Sequence, residues 1–248
     1  MSRPVIVTGG SRGIGAATAR LLAQRGHDVA ISYAGNEKAA RSVVSEIEAA
    51  GRRAVAIQGD VAVEADVVRL FAEAEKALGA PYGLVNNAGM LHNQSRLDAM
   101  SEERLTRSFA VNVVGSFLCA REAVKRMSTR FGGKGGSIVN VSSVASRLGG
   151  PNEYIDYAAT KGAIDSMTIG LAKEVGAEGV RVNAVRPGLI ITEIHASGGE
   201  PGRVDRLKSM VPMGRGGTAE EVAAAIVWLI SDEASYITGA LLDISAGR

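Results

Sequence analysis

Short runs of apolar and β-branched residues alternate along the chain with longer segments of helical periodicity. The first run is PVIV at 4–7. After it, Ile14, Ala17, Leu21 and Leu22 have the i, i+3, i+7, i+8 spacing of one helix face, and Gly26 can end that helix. Further apolar runs predict strands at 28–33, 53–61, 83–89, 137–143, 180–188 and 240–245. Further periodic segments predict helices at 37–50, 64–78, 102–130, 157–177 and 219–230.

This alternation of strand and helix predicts an α/β fold with a doubly wound parallel sheet, because parallel strands need crossover connections. The strand runs are continuously apolar, as expected where helices cover both faces of a sheet. No linker or repeat interrupts the chain, so we expect a single domain over 1–248. The irregular segment 189–217, which contains HASGGEPGR and MGRGG, is predicted to be a mobile lid with a short helix.

Composition and charge narrow the classes of function. The net charge of +2 comes from interspersed acids and bases, so we expect no nucleic-acid partner. With no signal peptide and no apolar run long enough to cross a membrane, we expect a cytoplasmic protein without membrane contact. The single cysteine, Cys119, excludes an intramolecular disulfide and is expected to be buried. The histidines are far apart in sequence and are expected on the surface, so no metal site is predicted; they are His27, His92 and His195.

The segment TGGSRGIG at 8–15 joins the first predicted strand to the first predicted helix. Gly9, Gly13 and Gly15 would permit a tight turn and let the backbone approach a pyrophosphate. The unpaired N–H groups at the helix N-terminus favour an anion there. We therefore predict a dinucleotide site, to which Ser11 and Ile14 of the same turn are also assigned.

The end of the second strand indicates which dinucleotide is bound. An NAD site usually places Asp or Glu there, where it binds the ribose 2′-hydroxyl. This chain has Tyr33-Ala34-Gly35-Asn36 at that point, and Glu37 comes late enough to begin a helix. Arg12 could bind a 2′-phosphate through paired hydrogen bonds. NADP(H) is therefore favoured over NAD(H); in the competing interpretation Arg12 is a solvated turn residue.

The stretch YIDYAATK at 154–161 offers a candidate acid–base pair. Tyr157 and Lys161 are four residues apart and would share a helix face, whereas Tyr154 has Ala158 at that spacing. A nearby ammonium group favours the phenolate form, which would lower the pKa of Tyr157. The pair could serve as a general acid or base, although the same spacing is common on solvated helix faces.

Five motifs in order resemble the short-chain dehydrogenase/reductase family over essentially the whole chain. They are TGGSRGIG, NNAG at 86–89, VSS at 141–143, YAATK at 157–161 and RPG at 186–188. The resemblance implies a single Rossmann-type domain with a seven-stranded parallel sheet. It also implies hydride transfer between a nicotinamide and a carbonyl or alcohol.

The resemblance also implies roles for individual residues. The family's catalytic tyrosine and lysine fall on Tyr157 and Lys161, and its serine falls on Ser143, with Ser142 as the alternative. The gap from Ser143 to Tyr157 is about one residue longer than in many relatives, so loop 144–156 is expected to differ in shape. The family's asparagine falls on Asn112, which would hold a water that connects Lys161 to solvent.

Further cofactor contacts follow from the same resemblance. Those at the carboxyl ends of the predicted strands are Asp60, Val61, Asn87, Ala88, Gly89, Pro187, Gly188, Ile190 and Thr192, and Tyr157 and Lys161 are also expected to touch the cofactor. In an alternative role, one amide of Asn86-Asn87 ties strands together; the cofactor contact is assigned to Asn87.

The sequence thus predicts an NADP(H)-dependent oxidoreductase that acts on a small carbonyl or alcohol. Two substrate classes stay open, a 3-oxoacyl thioester on an acyl carrier protein and a sugar or small ketone. Basic residues could receive an acidic carrier, or could simply form a solvated helix face; they are Arg121, Lys125, Arg126, Arg130 and Lys134. A non-catalytic NADP(H)-binding sensor is the alternative function. The apolar last helix, EEVAAAIVWLISDEA, and the resemblance predict a homotetramer.

Overall fold

The computed structural model describes residues 3–248, and its centre is a parallel sheet of seven strands. The strands are β1 (Val5–Val7), β2 (Val29–Tyr33), β3 (Ala54–Gln58), β4 (Gly83–Asn86), β5 (Gly136–Val141), β6 (Val180–Pro187) and β7 (Leu241–Ile244). Their order across the sheet is β3-β2-β1-β4-β5-β6-β7, and every neighbouring pair is parallel. The predicted doubly wound seven-stranded sheet is confirmed.

Helices cover both faces of this sheet. They are α1 (Gly13–Gln24), α2 (Glu37–Ala49), α3 (Glu64–Leu78), α4 (Glu102–Phe109), α5 (Gly115–Met127), α6 (Ala145–Leu148), α7 (Ile155–Val175), α8 (Ile194–Ser197), α9 (Arg203–Leu207) and α10 (Ala219–Ile230). One prediction was wrong in detail, since segment 102–130 is not one helix. A π turn at Ala110–Val114 separates α4 from α5, and such turns often mark functional positions.

The core divides into two layers because alternate strand residues point to opposite faces. Val5 and Val7 lie in the layer covered by α1, α2 and α10, whereas Ile6 lies in the layer under α3 and α5. Cys119 is fully buried in this second layer, and burial raises the pKa of its thiol to about 12. The thiol therefore stays protonated and acts as a small apolar core residue.

The apolar character of α10 is explained within the chain. The helix packs between α1 and the sheet, and its buried residues include Val222, Ile226 and Ile230. Only Trp228 of its large apolar residues stays substantially exposed. Most of the apolar surface of this helix is therefore covered within the chain, and the homotetramer stays a prediction.

Segment 189–217 follows β6, and its two ends lie side by side. The backbone N–H of Ile191 donates to Gly217, and that of Gly217 donates to Leu189, so the two ends of the segment are joined. Between them lie α8, α9 and a 3-10 turn at Lys208–Met210, rather than the single short helix predicted. We call residues 189–217 the lid segment.

Candidate active site

The strand order reverses between β1 and β4, and ligands of such sheets bind outside the carboxyl ends of the strands at that point. Two adjoining clefts lie there. One, of about 500 Å³, follows the glycine turn and is called the cofactor cleft; the other, of about 440 Å³, lies beside Ser143 and Tyr157 and is called the substrate cleft. Shared walls make them one continuous site, and include Ile14, Asn87, Gly89 and Thr192.

Most predicted cofactor residues line one of these clefts. Those in the cofactor cleft are Gly9, Ser11, Arg12, Gly13, Ile14, Asp60, Val61, Asn87, Ala88, Gly89 and Thr192. Those in the substrate cleft include Tyr157, Lys161, Pro187, Gly188 and Ile190. Gly15 lines neither cleft. A Cβ atom at Gly15 would lie 2.4 Å from the carbonyl oxygen of Gly9, so this glycine serves close backbone packing rather than ligand contact.

The start of α1 fits a pyrophosphate. The helix has no side-chain cap and no acid in its first turn, so its first N–H groups are free to bind an anion. Gly9 and Gly13 have φ of 62° and 53°, a backbone conformation that favours glycine. The structure therefore presents the backbone cradle that a dinucleotide requires.

Polar side chains that the motif did not identify hold this cradle in place. Thr8 Oγ1 accepts hydrogen bonds from the backbone N–H groups of Asn87 and Ala88, both at 3.0 Å. The backbone N–H of Gly9 donates to Ser32 Oγ at 3.1 Å. The ends of β1, β2 and β4 are thus locked to one another around the glycine turn.

Both amides of the Asn86-Asn87 pair have structural partners. Asn86 Nδ2 donates to Asn140 Oδ1 at 3.0 Å and ties β4 to β5. Asn87 Nδ2 donates to the carbonyl oxygens of Thr8 and Gly9, at 2.9 and 3.0 Å. Asn87 also lines both clefts, so it shapes the cradle and faces the space for the cofactor.

Arg12 and Asp60, which the sequence assigned to the cofactor, both line the cofactor cleft. Arg12 is exposed, and its guanidinium donates a long 3.4 Å hydrogen bond to Ser197 Oγ on the lid segment. Residues 33–36, which carry no acid, line the same cleft. Asp60 accepts a 2.7 Å hydrogen bond from Arg107, which also lines the cleft and which the sequence did not identify.

The candidate catalytic side chains converge at the carboxyl end of β5. Tyr157 lies in the first turn of α7, and the hydroxyl group of Ser143 is near enough to favour the ionised form of the phenol and so lower its pKa. Ser142 is instead 2% exposed, and its hydroxyl donates to the backbone of Lys161. Lys161 Nζ lies 5.4 Å from the centre of the Tyr157 ring and donates to the carbonyl oxygen of Val141 at 2.7 Å.

Burial dominates the pKa values of this pair. It raises the pKa of Tyr157 to about 12, against the effect of the hydrogen bond from Ser143. It lowers the pKa of Lys161 to about 8, although the carboxylate of Asp165 opposes that change. The predicted lowering of the tyrosine pKa by the lysine is not seen in the protein alone, where desolvation is the main cause of the change.

Asn112 lies in the π turn, and its side chain is already bonded to protein groups. Its Oδ1 accepts from the backbone N–H of Met90 at 2.8 Å. Its Nδ2 donates to the carbonyl oxygen of Met90 and to Thr160 Oγ1. This side chain links the chain after β4 to α7; its hold on a catalytic water stays a prediction.

The substrate cleft has mainly apolar walls. They come from loop 144–156, the chain after β4 and the lid segment, and include Leu91, Val144, Leu148, Tyr154, Leu189, Ile194, Leu207 and Met210. Between Ser143 and Tyr157 the chain forms the short helix α6 and takes left-handed backbone at Gly149, Gly150 and Asn152.

The three histidines, expected on the surface, are each partly exposed. His27, His92 and His195 are half-buried, and His195 lines the substrate cleft. Its Nε2 lies 2.9 Å from the carbonyl oxygen of Ile190, and burial lowers its pKa. Within residues 3–248, no three His, Cys, Asp or Glu side chains come together as metal ligands. The same residues include no helix that is long and apolar enough to cross a membrane.

Comparison with known proteins identifies the family. A family model described as enoyl-(acyl carrier protein) reductase matches residues 9–248. An uncharacterised oxidoreductase of Escherichia coli (strain K12), YgfF, is 58% identical, and the alignment covers 98% of each chain. An L-rhamnose 1-dehydrogenase (NAD(P)(+)) of Sphingomonas sp. (strain SKA58) is 40% identical, with 99% of this chain and 95% of the relative covered.

A solved structure supports the same family assignment. A short-chain dehydrogenase from Burkholderia cenocepacia J2315, in complex with NADP, has a TM-score of 0.91 and 35% identity, with 99% of this chain and 97% of that chain covered. The protein belongs to the short-chain dehydrogenase/reductase family. It is an oxidoreductase, and its family binds a nicotinamide cofactor.

Proposed function

We propose that the protein is an NADP(H)-dependent reductase or dehydrogenase that interconverts a carbonyl group and a secondary alcohol. The observation that carries this proposal is the convergence of Ser143, Tyr157 and Lys161 where the two clefts meet. A non-catalytic cofactor sensor would not need these three groups together in the wall of a substrate cleft.

The residues would divide the work of reduction as follows. Ser143 donates a hydrogen bond that holds the substrate oxygen beside Tyr157. Tyr157, protonated at neutral pH, gives its proton to that oxygen as the carbonyl carbon becomes an alcohol carbon. Lys161, still largely cationic at neutral pH, stabilises the phenolate that remains until solvent returns the proton. A bound nicotinamide supplies the hydride.

The walls of the substrate cleft favour a small ketone with apolar substituents. The cleft volume suits a small molecule, and its lining is mainly aliphatic. Two arginines of its wall, Arg203 and Arg206, are paired with Glu153 in the same wall and with Glu200. Sugar oxidation is the second candidate, supported by the name of the 40% identical rhamnose dehydrogenase.

An acyl carrier protein has less support as a partner. Four of the five basic residues that could receive it have acidic neighbours: Arg121 binds Glu64, Lys125 and Arg126 bind Glu122, and Arg130 lies near Glu178. This surface is a face of alternating charges rather than a basic patch. The cytoplasmic location expected from the sequence stays a prediction.

The decisive experiment follows NADPH and NADH oxidation with ketones, diketones, β-ketoacyl thioesters, aldehydes and keto-sugars, and the reverse reaction with alcohols and sugars. We expect turnover of an apolar ketone, and at least a hundredfold loss of kcat in Tyr157→Phe with NADPH binding retained. The matched control is Tyr236→Phe, which changes a fully exposed tyrosine. Tight NADPH binding without turnover of any substrate in either direction would favour the sensor.

Arg12 tests the cofactor preference. A charge-assisted contact to a 2′-phosphate is worth about 1.5–3 kcal/mol, so Arg12→Ala should lower kcat/KM for NADPH roughly 10- to 100-fold and leave that for NADH nearly unchanged. Arg25→Ala, which removes an exposed arginine at the other end of α1, is the control. An equal loss with both cofactors would show that Arg12 does not read the 2′-phosphate.

A further inference from the structure

A buried ion pair includes the residue that immediately precedes the candidate proton donor in the chain. Arg104 on α4 donates two hydrogen bonds to Asp156 on α7, at 2.8 and 3.1 Å. The side chains are only 13% and 2% exposed. Ser108 adds a third hydrogen bond to the same carboxylate, at 3.3 Å. Because a buried charge is costly unless it is fully paired, such an arrangement needs a reason beyond stability alone.

Asp156 immediately precedes Tyr157, and the backbone N–H of that tyrosine helps to lower the pKa of its carboxyl group. Although burial opposes it, the hydrogen bonds from Arg104 and from Tyr157 hold the pKa of the Asp156 carboxyl below its ordinary value. A carboxylate in the first turn of α7 also interacts favourably with the positive end of the helix dipole. The charge therefore fixes the turn that carries the phenol.

Arg104 connects this turn to the substrate cleft. Its Nη1 donates to the carbonyl oxygen of Asn93 at 2.6 Å, in the segment that follows Leu91 of the cleft wall. On the other side of the turn, Thr160 Oγ1 donates to the carbonyl oxygen of Tyr157 at 2.7 Å and receives a hydrogen bond from Asn112. The first turn of α7 is thus held from both sides by groups outside the helix.

We propose that Arg104 and Asp156 form a positioning pair that fixes Tyr157 against Ser143 and the substrate oxygen. This inference rests on the proposed function, in which Tyr157 donates the proton. Neither side chain touches the substrate. Their effect is on the geometry of the tyrosine, and small errors in the placement of a proton donor cost large factors in rate.

The chain offers a matched control for this proposal. Asp28 is also 2% exposed and is paired with Arg52 and Arg53, but it lies at the start of β2, at the opposite edge of the sheet from the clefts. Asp156→Asn and Asp28→Asn therefore remove the same charge from equally buried carboxylates, although the arginine partners of Asp28 are more exposed. Both variants should lower the midpoint of thermal unfolding.

Only Asp156→Asn should affect catalysis. We expect its kcat to fall at least tenfold with the Kd for NADPH unchanged within threefold, whereas Asp28→Asn keeps kcat within twofold of the unsubstituted protein. Arg104→Lys keeps the positive charge but loses the paired hydrogen bonds, so its kcat should fall by a smaller factor. If Asp156→Asn does not fold, the kcat of Arg104→Lys tests the proposal. Unchanged kcat in both pair variants would overturn the proposal.

Hydrogen–deuterium exchange of the peptide 154–161 gives a readout that does not depend on turnover. Asp156→Asn should speed exchange in this peptide at least tenfold, and Asp28→Asn should not. If no substrate is turned over but this exchange changes as expected, the proposed function fails and the positioning role stands. If Tyr157→Phe abolishes turnover but Asp156→Asn and Arg104→Lys change neither kcat nor exchange, the positioning role fails and the function stands.

Discussion

At the scale of single residues, the candidate site depends on two ionisable groups that burial shifts in opposite directions. Tyr157 is held in its neutral form, which suits a proton donor, and Lys161 is made a weaker base. The protein tolerates the buried lysine because its ammonium group donates to the carbonyl oxygen of Val141 and lies near the carboxylate of Asp165. Burial of this charged group lowers the free energy of unfolding, and the protein tolerates that loss at the candidate active site.

This cost should be visible as a pH dependence of stability. The folded protein holds Lys161 at a pKa of about 8, below the ordinary 10.5, so above pH 8 the unfolded chain binds more protons than the folded one. The lysine therefore destabilises the fold fully below pH 8, and this penalty is relieved as the pH rises toward 10.5. The slope is at most about 1.4 kcal/mol per pH unit.

Urea unfolding of the protein and of Lys161→Met between pH 8 and 10 measures this pH dependence of the free energy of unfolding. We expect the free energy of unfolding of the lysine form to rise relative to the methionine form, by roughly 2 kcal/mol across this range. Other titrating groups, Cys119 among them, are common to both proteins and cancel in the difference. A constant difference would show that Lys161 is not desolvated in the cofactor-free protein.

At the scale of secondary-structure elements, the lid segment is fastened to loop 144–156 by charge. Arg203 and Arg206 on α9 bind Glu153 in that loop and Glu200 in the lid segment. Arg203 also stacks over the ring of Tyr154, 4.9 Å from its centre. Because the arginines and Glu153 line the substrate cleft, this clamp joins two of its walls.

Weakening the clamp should loosen the lid segment without unfolding the sheet. Part-exposed ion pairs contribute about 1 kcal/mol each, so Glu153→Gln should raise KM for the carbonyl roughly fivefold and speed proteolytic cleavage within 189–217. Limited proteolysis followed by mass spectrometry, together with steady-state kinetics, measures both effects. Asp205→Asn, at a lid residue whose side chain is 83% exposed, is the control. Equal cleavage of the two variants would contradict a role for the clamp.

The features that the sequence predicted are local along the chain, whereas most of those it missed join distant residues. The glycine turn and the Tyr157–Lys161 spacing are local patterns, and the structure places both at the cleft edge. The pairs Arg107–Asp60 and Arg104–Asp156 join residues 47 and 52 apart in the chain, which come together only through the sheet topology. The π turn was missed because its apolar pattern, FAVNVVGSF, continues a helical period.

At the scale of the whole molecule, the exposed apolar surface suggests where a second subunit would sit. Large apolar side chains stay exposed along α4, the π turn, α5 and α7: Phe109 is 40% exposed, Val114 48%, Phe117 50% and Ile169 39%. Contiguous exposed apolar patches on soluble proteins mark interaction surfaces. The predicted homotetramer therefore finds its support on this face, rather than on α10.

A charge placed in this patch should break the assembly. We expect the unsubstituted protein to sediment as an oligomer at micromolar concentration, and Phe117→Glu to shift it to a smaller species, because a carboxylate buried in an apolar interface is unpaired. Val68→Glu, at a 42% exposed position on α3, is the matched control and should sediment like the unsubstituted protein. A monomer in all three samples would contradict the predicted assembly. An oligomer that survives Phe117→Glu but dissociates on Trp228→Glu would move the interface to α10, whose exposed tryptophan is the other large apolar group available for it.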